Sequence, residues 1–379
     1  MSIVKILNYS LLFIFIYISP QFAQTKQNEV QFNVNKRVIL IGDVGEPAKD
    51  NKEPVLIALE KHAREIKDST IILFLGDNIY PSGLMPVTHP DRTEYERRID
   101  EQIEVVLNSH ALGFFIPGNH DWGKSEHYGV EQIRRQSVYI NTYGSEKISF
   151  KPADGCPGPE YFDYGDDLRI IFLDTQWWFN NDRIIEQNDC PTGSEDEIVE
   201  ELSLLIKNSA DRFIIIAAHH PLNTFGEHGG YFPLKIHLFP LTELNPYLLI
   251  PLPIIGSIYP LLRNMGINRQ DISNPVYKNM INKIEPLLNS RNGIIYASGH
   301  EHSLQLLRGR NGNIYVVSGA GIYDLVAQRV SEGNETIYSE AAPGFFIIDF
   351  LDDGRIRLSA VEVVDRKGAT EITYEIFTN

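Results

Sequence analysis

Nine short runs of branched and aromatic residues constrain the fold more than any other feature of the chain: "RVILIG" (37–42), "TIILFLG" (70–76), "LGFFIPG" (112–118), "LRIIFLD" (168–174), "RFIIIAA" (212–218), "GIIYASG" (293–299), "NIYVVSG" (313–319), "GFFIIDF" (344–350) and "IRLSAVEVV" (356–364). Continuous Val, Ile and Phe runs of this length suit strands buried on both faces. Between them, "EPVLIALEKHAREI", "YERRIDEQIEVVLNS" and "SEDEIVEELSLLIKNS" carry helical apolar spacing, the last opened by Ser194 and an acidic first turn. Strands alternating with helices predict an α/β layered domain. The last runs follow one another without helical segments, so antiparallel pairing is expected towards the C-terminus.

The ends of these runs carry the chemistry. "LIGDVG" presents Asp43, and "FLGDNIYPSG" presents Asp77 and Tyr80. "IPGNHDW" presents Asn119 and His120, "IIAAHHP" presents His219 and His220, "GEHGG" presents His228, and "SGHEHS" presents His300 and His302. Taken singly, each has an ordinary explanation. Gly-Asp after a strand is usually a turn, a lone tyrosine usually packs, and a lone histidine is usually a satisfied polar group. In α/β sheets, however, ligands gather beyond the carboxyl ends of strands. Several strands that all end in hard or borderline metal ligands are therefore expected to converge on one point. Strand-like alternation is expected to put His300 and His302, at i and i+2, on one face.

The ordered set Gly42-Asp43-Val44-Gly45, Gly76-Asp77-Asn78-Ile79-Tyr80, Gly118-Asn119-His120-Asp121, Ala217-Ala218-His219 and Gly299-His300-Glu301-His302 resembles the calcineurin-like metallophosphoesterases. Within them it is most similar to the purple acid phosphatases of the small tartrate-resistant type. The likeness extends through "FLDT", "HHP", "EHG", "GHEHSLQ" and "VSGAG", and so spans roughly residues 37 to 365. It implies a four-layer α-β-β-α sandwich with a dinuclear metal site at the strand carboxyl ends. Most of that superfamily begins with Asp-x-His, but here the His position is Gly45, which cannot ligate. Tyr80 fills the gap, as in the purple acid phosphatases, and a phenolate suits a trivalent ion better than imidazole does. The resemblance therefore implies Fe(III) at site one, held by Asp43, Asp77, Tyr80 and His302. Site two would share Asp77 as the bridge and add Asn119, His219 and His300, a set that accepts Fe(II), Zn or Mn.

From the same resemblance follows a metal-dependent phosphatase acting on phosphomonoesters by attack of a metal-bound hydroxide, with the ions about 3.5–4 Å apart. His120 and His228 match the family's non-ligand histidines, which bind substrate oxygens or protonate the leaving group. His220 occupies a position not reserved for ligands and is expected to be structural or substrate-facing. A phosphodiesterase, nucleotidase or lipid-phosphate hydrolase on the same metal pair is the alternative, because substrate choice lives in loops. A non-catalytic binding module that keeps the fold is a third reading, and the filled ligand positions argue against it.

Lys+Arg total 34 against Asp+Glu 50, a formal charge of −16. That balance disfavours nucleic acid or an anionic bilayer as a partner, though not a small phosphorylated substrate met by bound cations. Residues 1–23 carry Lys5, an apolar stretch to Ser19, then Pro20 and Ala23, the layout of a secretory signal with Gln21 at an imperfect −3 position. An uncleaved anchor is the alternative, but the stretch is short for a bilayer span. Export, secreted or periplasmic, and a single domain over residues 24–379 are thus expected. In an exported protein the only two cysteines, Cys156 and Cys190, read as one disulfide, with two unpaired thiols as the alternative. Residues 231–273 form an apolar insertion, uncharged from Leu244 to Leu262 and broken by Pro246, Pro251, Pro253 and Pro260. The metal chemistry does not call for it. It is expected to fold back as a packed cap, or else to stay partly exposed as a wall for an amphiphilic substrate or a membrane-surface contact.

Overall fold

The computed structural model describes residues 33–378, apart from 50–51, 126–128, 144–145, 181–189, 210, 244, 246 and 327–329. The secretory signal expected at residues 1–23 lies outside the described residues. With strands and helices numbered along the chain, two seven-stranded sheets form the centre. The first runs β14 (Thr370–Thr378), β13 (Ile356–Val363), β12 (Gly344–Leu351), β1 (Val34–Ile41), β2 (Thr70–Phe74), β3 (Leu112–Phe115) and β4 (Ile148–Phe150). The second runs β11 (Thr336–Glu340), β9 (Leu304–Arg308), β10 (Ile314–Ser318), β8 (Ile295–Ser298), β7 (Phe213–Ala217), β6 (Leu168–Phe172) and β5 (Glu160–Tyr164).

Four layers follow from where alternate side chains go. Val38 and Leu40 of β1 meet Ile170, Ile215 and Val316 in a core between the sheets. Their neighbours Ile39 and Ile41 point the other way, onto α1 (Pro54–Glu65), α2 (Arg92–Ser109) and α3 (Gly129–Thr142). Across the second sheet, Ile214 and Ile216 pack on α5 (Glu195–Lys207) and α8 (Pro275–Leu288). The expected α-β-β-α sandwich is therefore the observed architecture, and the runs are apolar throughout because both faces of each sheet are covered. At α5 the Ser194 hydroxyl accepts from the Glu197 amide while the Glu197 carboxylate accepts from the Ser194 amide, the capping box its sequence predicts.

Strands β1 to β4 are parallel, as are β6, β7, β8 and β10, while β12 to β14 pair antiparallel at the chain's end. Register aligns Ile41 with Phe74 and Phe74 with Phe115, so β1, β2 and β3 stop side by side. Ala217 is level with Ala297 in the second sheet. The two sets of ends are tied where they meet: the Gly42 amide donates to the Ser318 carbonyl at 2.7 Å, and the Ser318 hydroxyl to the Leu40 carbonyl at 2.6 Å. Cys156 and Cys190 are joined, with Cα atoms 5.5 Å apart.

The 231–273 insertion holds α6 (Leu234–Leu238) and α7 (Pro253–Asn264). Pro253 opens α7, where a missing N–H costs nothing, and Pro260 lies on the buried face with Gly256 and Arg263. The opposite face carries Ile254, Ile255, Ile258, Leu261 and Leu262 to the exterior, so the insertion is not the fully packed cap expected of so apolar a stretch. The inner face is too crowded for those side chains: a Cβ on Gly256 would stand 2.4 Å from the His237 carbonyl oxygen of α6. Among the described residues no helix is long and apolar enough to cross a membrane.

Candidate metal centre

All seven residues expected as ligands meet in the groove above the strand ends, in two groups. In the first, the Tyr80 hydroxyl is 3.0 Å from Asp43 Oδ1 and 3.1 Å from His302 Nε2, and that nitrogen is 3.6 Å from Asp43 Oδ1. In the second, Asn119 Oδ1 is 3.0 Å from His219 Nε2 and 3.1 Å from His300 Nδ1, and the two nitrogens are 3.3 Å apart. Asp77 lies between: its Oδ2 is 3.5 Å from His219 Nε2, and Asp43, Asp77 and His219 hold donor atoms within 4.8 Å of one another. Donors around a single ion with bonds of about 2.1 Å stand roughly 3.0–3.4 Å apart, which is the spacing throughout the second group and of the two Tyr80 contacts in the first.

Backbone geometry makes the convergence. Asp43, Asp77 and His300 have φ of 59°, 54° and 72°. Asp and His tolerate this left-handed region better than bulky or β-branched residues, and such residues collect where function over-determines the backbone. His300 and His302 therefore do not share a strand face, as alternation had suggested. β8 stops at Ser298 and β9 starts at Leu304, and the turn between them sends His300 to the Asn119 group and His302 to the Tyr80 group. Gly118 permits the closest approach: a Cβ there would stand 2.3 Å from the Asp77 amide nitrogen and carboxylate. Gly45 is equally constrained, since a Cβ would meet the Tyr80 amide nitrogen at 2.7 Å. The loop that delivers the phenol occupies the room a histidine at 45 would need.

Neighbouring groups fix which atom each ligand presents. His219 Nδ1 donates to the Leu75 carbonyl at 2.8 Å, leaving the Nε2 lone pair inward. His300 Nε2 donates to the Gln270 carbonyl at 3.2 Å, leaving Nδ1 inward. Two inward lone pairs at 3.3 Å repel unless a proton or a cation lies between them. Burial pushes His300 well below its usual range, so a proton is disfavoured there. Asp43 and Asp77 are 1% and 2% exposed, and among the described residues no Lys or Arg is paired with either. Burial, with Asp43 and Asp77 adding to it, raises the Tyr80 phenol well above its usual range, so its proton would leave only for a bound cation. Facing imidazole nitrogens, buried carboxylates without Lys or Arg partners among the described residues and a phenol among them form a set that fits metal ions.

Several residues beyond the expected ligands do necessary work. The Asp121 carboxylate receives the backbone amides of Gly118, Asn78 and Ile79 and the Gln136 side chain, binding the Asp77 loop to the Asn119 loop. Burial, then the Asp77 charge, pushes its pKa up to about 7. Arg98 donates to the Tyr80 carbonyl at 2.7 Å, and Glu94 holds Arg98 at 3.0 Å. Glu301, turned away from the two histidines beside it, accepts the His228 amide at 2.7 Å. His220 lies close enough to His219 and His300 to form a ligand group with them. Its nitrogens are already taken by Thr175 Oγ1 at 2.8 Å and Gln270 Oε1 at 2.7 Å, so its place is structural.

His120 and His228 stand at the rim. His120 Nδ1 donates to the Pro81 carbonyl at 2.8 Å, and Nε2 faces Asp77 Oδ2 at 3.9 Å. His228 lies over the His300 ring, centroids 4.1 Å apart, with Nδ1 3.1 Å from Asp271 Oδ1. This corrects the expectation that the centre has no need of the insertion. Gln270 orients His300 and His220, and Asp271 holds His228, all from the insertion's last residues. No sequence spacing joins Gln270 to His300 or Asp271 to His228, so neither contact had a signal in the sequence.

Rabbit (Oryctolagus cuniculus) tartrate-resistant acid phosphatase type 5 is 25% identical over 265 residues, covering 66% of this chain and 60% of that protein. The human protein of the same name is 24% identical over 273 residues, covering 68% and 62%. The chain thus spans about three-fifths of the length of the curated relatives it matches. Among solved structures, a purple acid phosphatase from yellow lupin (Lupinus luteus) seeds superposes with a TM-score of 0.50 at 14% identity, covering 92% of this chain and 54% of that one. PhoD superposes at 0.51 and 11%, covering 92% and 70%. At such identities the likeness is one of fold. The profile of the calcineurin-like phosphoesterases matches residues 36–304, most of the chain and all seven converging residues, and the chain belongs to that family.

Proposed function

We propose that this chain hydrolyses phosphate monoesters at a two-cation centre built from Asp43, Tyr80 and His302 on one side, Asn119, His219 and His300 on the other, and Asp77 shared between them. The observation that carries the reading is the inward-facing donor set itself, with neighbouring atoms 3.0–3.6 Å apart and, among the described residues, no Lys or Arg paired with its carboxylates. Two bound cations would neutralise phosphate oxygens and lower the pKa of a water between them. The protein's own part is to hold the donors rigid and to supply rim groups. His120 donates its Nδ1–H to the Pro81 carbonyl, so its Nε2 can donate to a substrate oxygen when the ring is protonated. His228 has its Nδ1 engaged by Asp271, and its Nε2, without a protein partner among the described residues, is placed to give a proton to the leaving alkoxide.

Tyr80 favours Fe(III) at its site, being a hard anionic donor where Gly45 leaves no room for imidazole. Fe(II), Zn or Mn suits the mixed nitrogen and oxygen set opposite. Export through the N-terminal segment accords with the Cys156–Cys190 disulfide, since such bonds persist in oxidising compartments. Metal analysis of purified protein, paired with assays on a mono- and a diester, tests the reading. Two metal equivalents and preference for the monoester are expected. Tight two-metal binding without turnover of either ester would favour the non-catalytic reading, and preference for the diester the phosphodiesterase one.

One observation favours a refinement of substrate. The outward face of α7 and the preceding Tyr247, Leu249 and Ile250 form an exposed apolar surface on the same insertion that touches His228 and His300. Exposed patches of this kind mark contact sites. Because 244–262 is uncharged and the chain carries −16, the surface suits a neutral or zwitterionic amphiphile rather than an anionic bilayer.

A further inference from the structure

The insertion reaches the rim of the metal centre through a buried charge pair. Arg263, on the inner face of α7, donates from Nε and Nη2 to both oxygens of Asp271, each at 2.6 Å. Both residues are buried, Asp271 at 1% exposure and Arg263 at 8%. Forked, doubly hydrogen-bonded pairs fix direction as well as charge. The pair is itself held in place: Tyr259 accepts from Arg263 Nη1 at 2.7 Å, Ser273 donates to the Arg263 carbonyl at 2.8 Å, and the Ile272 amide donates to the His228 carbonyl at 2.9 Å. What the pair presents outward is one carboxylate oxygen, Asp271 Oδ1, 3.1 Å from His228 Nδ1.

His228 Nδ1 also lies 3.2 Å from Arg263 Nη2. These two neighbours ask for opposite tautomers. A carboxylate oxygen requires Nδ1–H, whereas a guanidinium N–H requires an Nδ1 lone pair. Arg263 Nη2 is already committed to Asp271 at the shorter distance of 2.6 Å, and a bond to a charged acceptor is the stronger kind.

We infer that Asp271, braced by Arg263, is a positioning residue. It holds His228 as the Nδ1–H tautomer, with Nε2 turned to the cleft as the ring atom that meets the substrate. The role rests on the proposed phosphatase reading for its substrate, but the tautomer is a property of the protein alone. It also gives the insertion a task in the chemistry, because both partners of His228 lie on it.

The test uses zinc-loaded protein, which is diamagnetic, with 15N-labelled histidine. Long-range 1H–15N correlation should show His228 as Nδ1–H. Asp271→Asn keeps one oxygen for the two Arg263 N–H groups and removes the negative charge facing His228 Nδ1, so the preference for Nδ1–H should be lost and the Nε2–H tautomer should grow. With nitrophenyl phosphate, kcat should fall about 10- to 100-fold, a part of what a general acid contributes, while KM changes less than about threefold and metal content holds. In a His228→Ala background, Asp271→Asn should cost less than about twofold more, since its effect passes through the ring. If the single variant does not fold because Arg263 is left uncompensated, Arg263→Gln with Asp271→Asn removes both charges and is put through the same measurements. An Nε2–H tautomer in the unaltered protein, or additive losses in the His228→Ala background, would overturn the inference. Full turnover in His228→Ala alone would instead remove the histidine from the reaction, and the tautomer reading, which needs no turnover, tells that failure apart.

Discussion

His219 and His300 face each other with Nε2 and Nδ1 3.3 Å apart, each ring's other nitrogen hydrogen-bonded to a backbone carbonyl of Leu75 or Gln270. With those hydrogen bonds donated by neutral rings, two lone pairs face each other. A cation bound between them would relieve that repulsion, which would couple ion binding to the stability of the sandwich.

The first prediction concerns that coupling. Protein stripped by a chelator should melt at lower temperature than the loaded form, and free cation at a hundredfold excess over Kd should restore about 2.7 kcal/mol per site. Differential scanning calorimetry against added zinc or iron measures it. A melting temperature indifferent to cations would mean that the facing donors are satisfied in some other way.

Asp77 stands between the two donor groups, 3.5 Å from His219 Nε2 and with an oxygen receiving the His120 amide at 2.8 Å. Asp77→Ala should reduce turnover to background and weaken binding at both sites, because on the proposed reading one residue serves both. Loss of a single equivalent, with partial activity retained, would show the sites to be independent.

A third outcome concerns Tyr80. With iron bound, the phenolate should give a visible charge-transfer band, and Tyr80→Phe should bleach it without removing the second metal. An active, colourless protein holding only zinc or manganese would show that the tyrosine does not select iron.

The seven converging residues were legible because each is a particular residue type close to a strand end, punctuated by glycine. That is a local requirement, and sequence records it. Buried strands such as β6 were legible as continuous apolar runs, whereas β14, "TEITYEIFT", lies half-exposed at a sheet edge and alternates with Thr and Glu. Helix α7 was hidden by its prolines, whose tolerance depends on Pro253 opening the helix and Pro260 facing inward. The hydrogen bonds from Gln270 and Asp271 were invisible for a different reason. They join an insertion to residues about 30 and 43 positions away, and only the folded chain sets those distances.

Glu94 gives a prediction in pH. Hydrogen bonds from Arg97 and then, against some burial, from Arg98 hold its carboxyl at about 2 rather than 4.5. A depressed carboxylate stabilises the fold above its unfolded pKa, and that contribution is lost as pH falls from about 4.5 to about 2. The full shift would correspond to roughly 3 kcal/mol for a shielded group. Glu94 is 27% exposed, so water leaves about 1 kcal/mol. Glu94→Gln should therefore lower stability by about that much at pH 7 and not at pH 2, as measured by denaturant unfolding. Because Arg98 also holds the Tyr80 carbonyl, the variant should loosen the Tyr80 loop first, seen as faster amide exchange there.

The last prediction separates the two faces of α7. Its inner face carries Arg263 to Asp271, and its outer face carries Ile254 at 83% exposure and Ile255 and Leu261 at 58%. Each such side chain left in water forgoes about 1.5–3 kcal/mol of burial, a cost that a packed cap would not bear. Replacing Ile254, Ile255, Ile258 and Leu261 with Ser or Gln leaves Arg263, Asp271 and the metal ligands untouched. Turnover of a soluble phosphomonoester should stay within about twofold, because no altered side chain reaches the centre. Binding to zwitterionic vesicles, and turnover of a phosphate monoester carried on a lipid tail, should fall together by tenfold or more, about 1.4 kcal/mol. Equal loss on both substrates would make the outer face a structural element that acts through α7 on His228. Unchanged lipid binding would mean that some other surface meets the amphiphile, and the uncharged face would then be left to a protein partner.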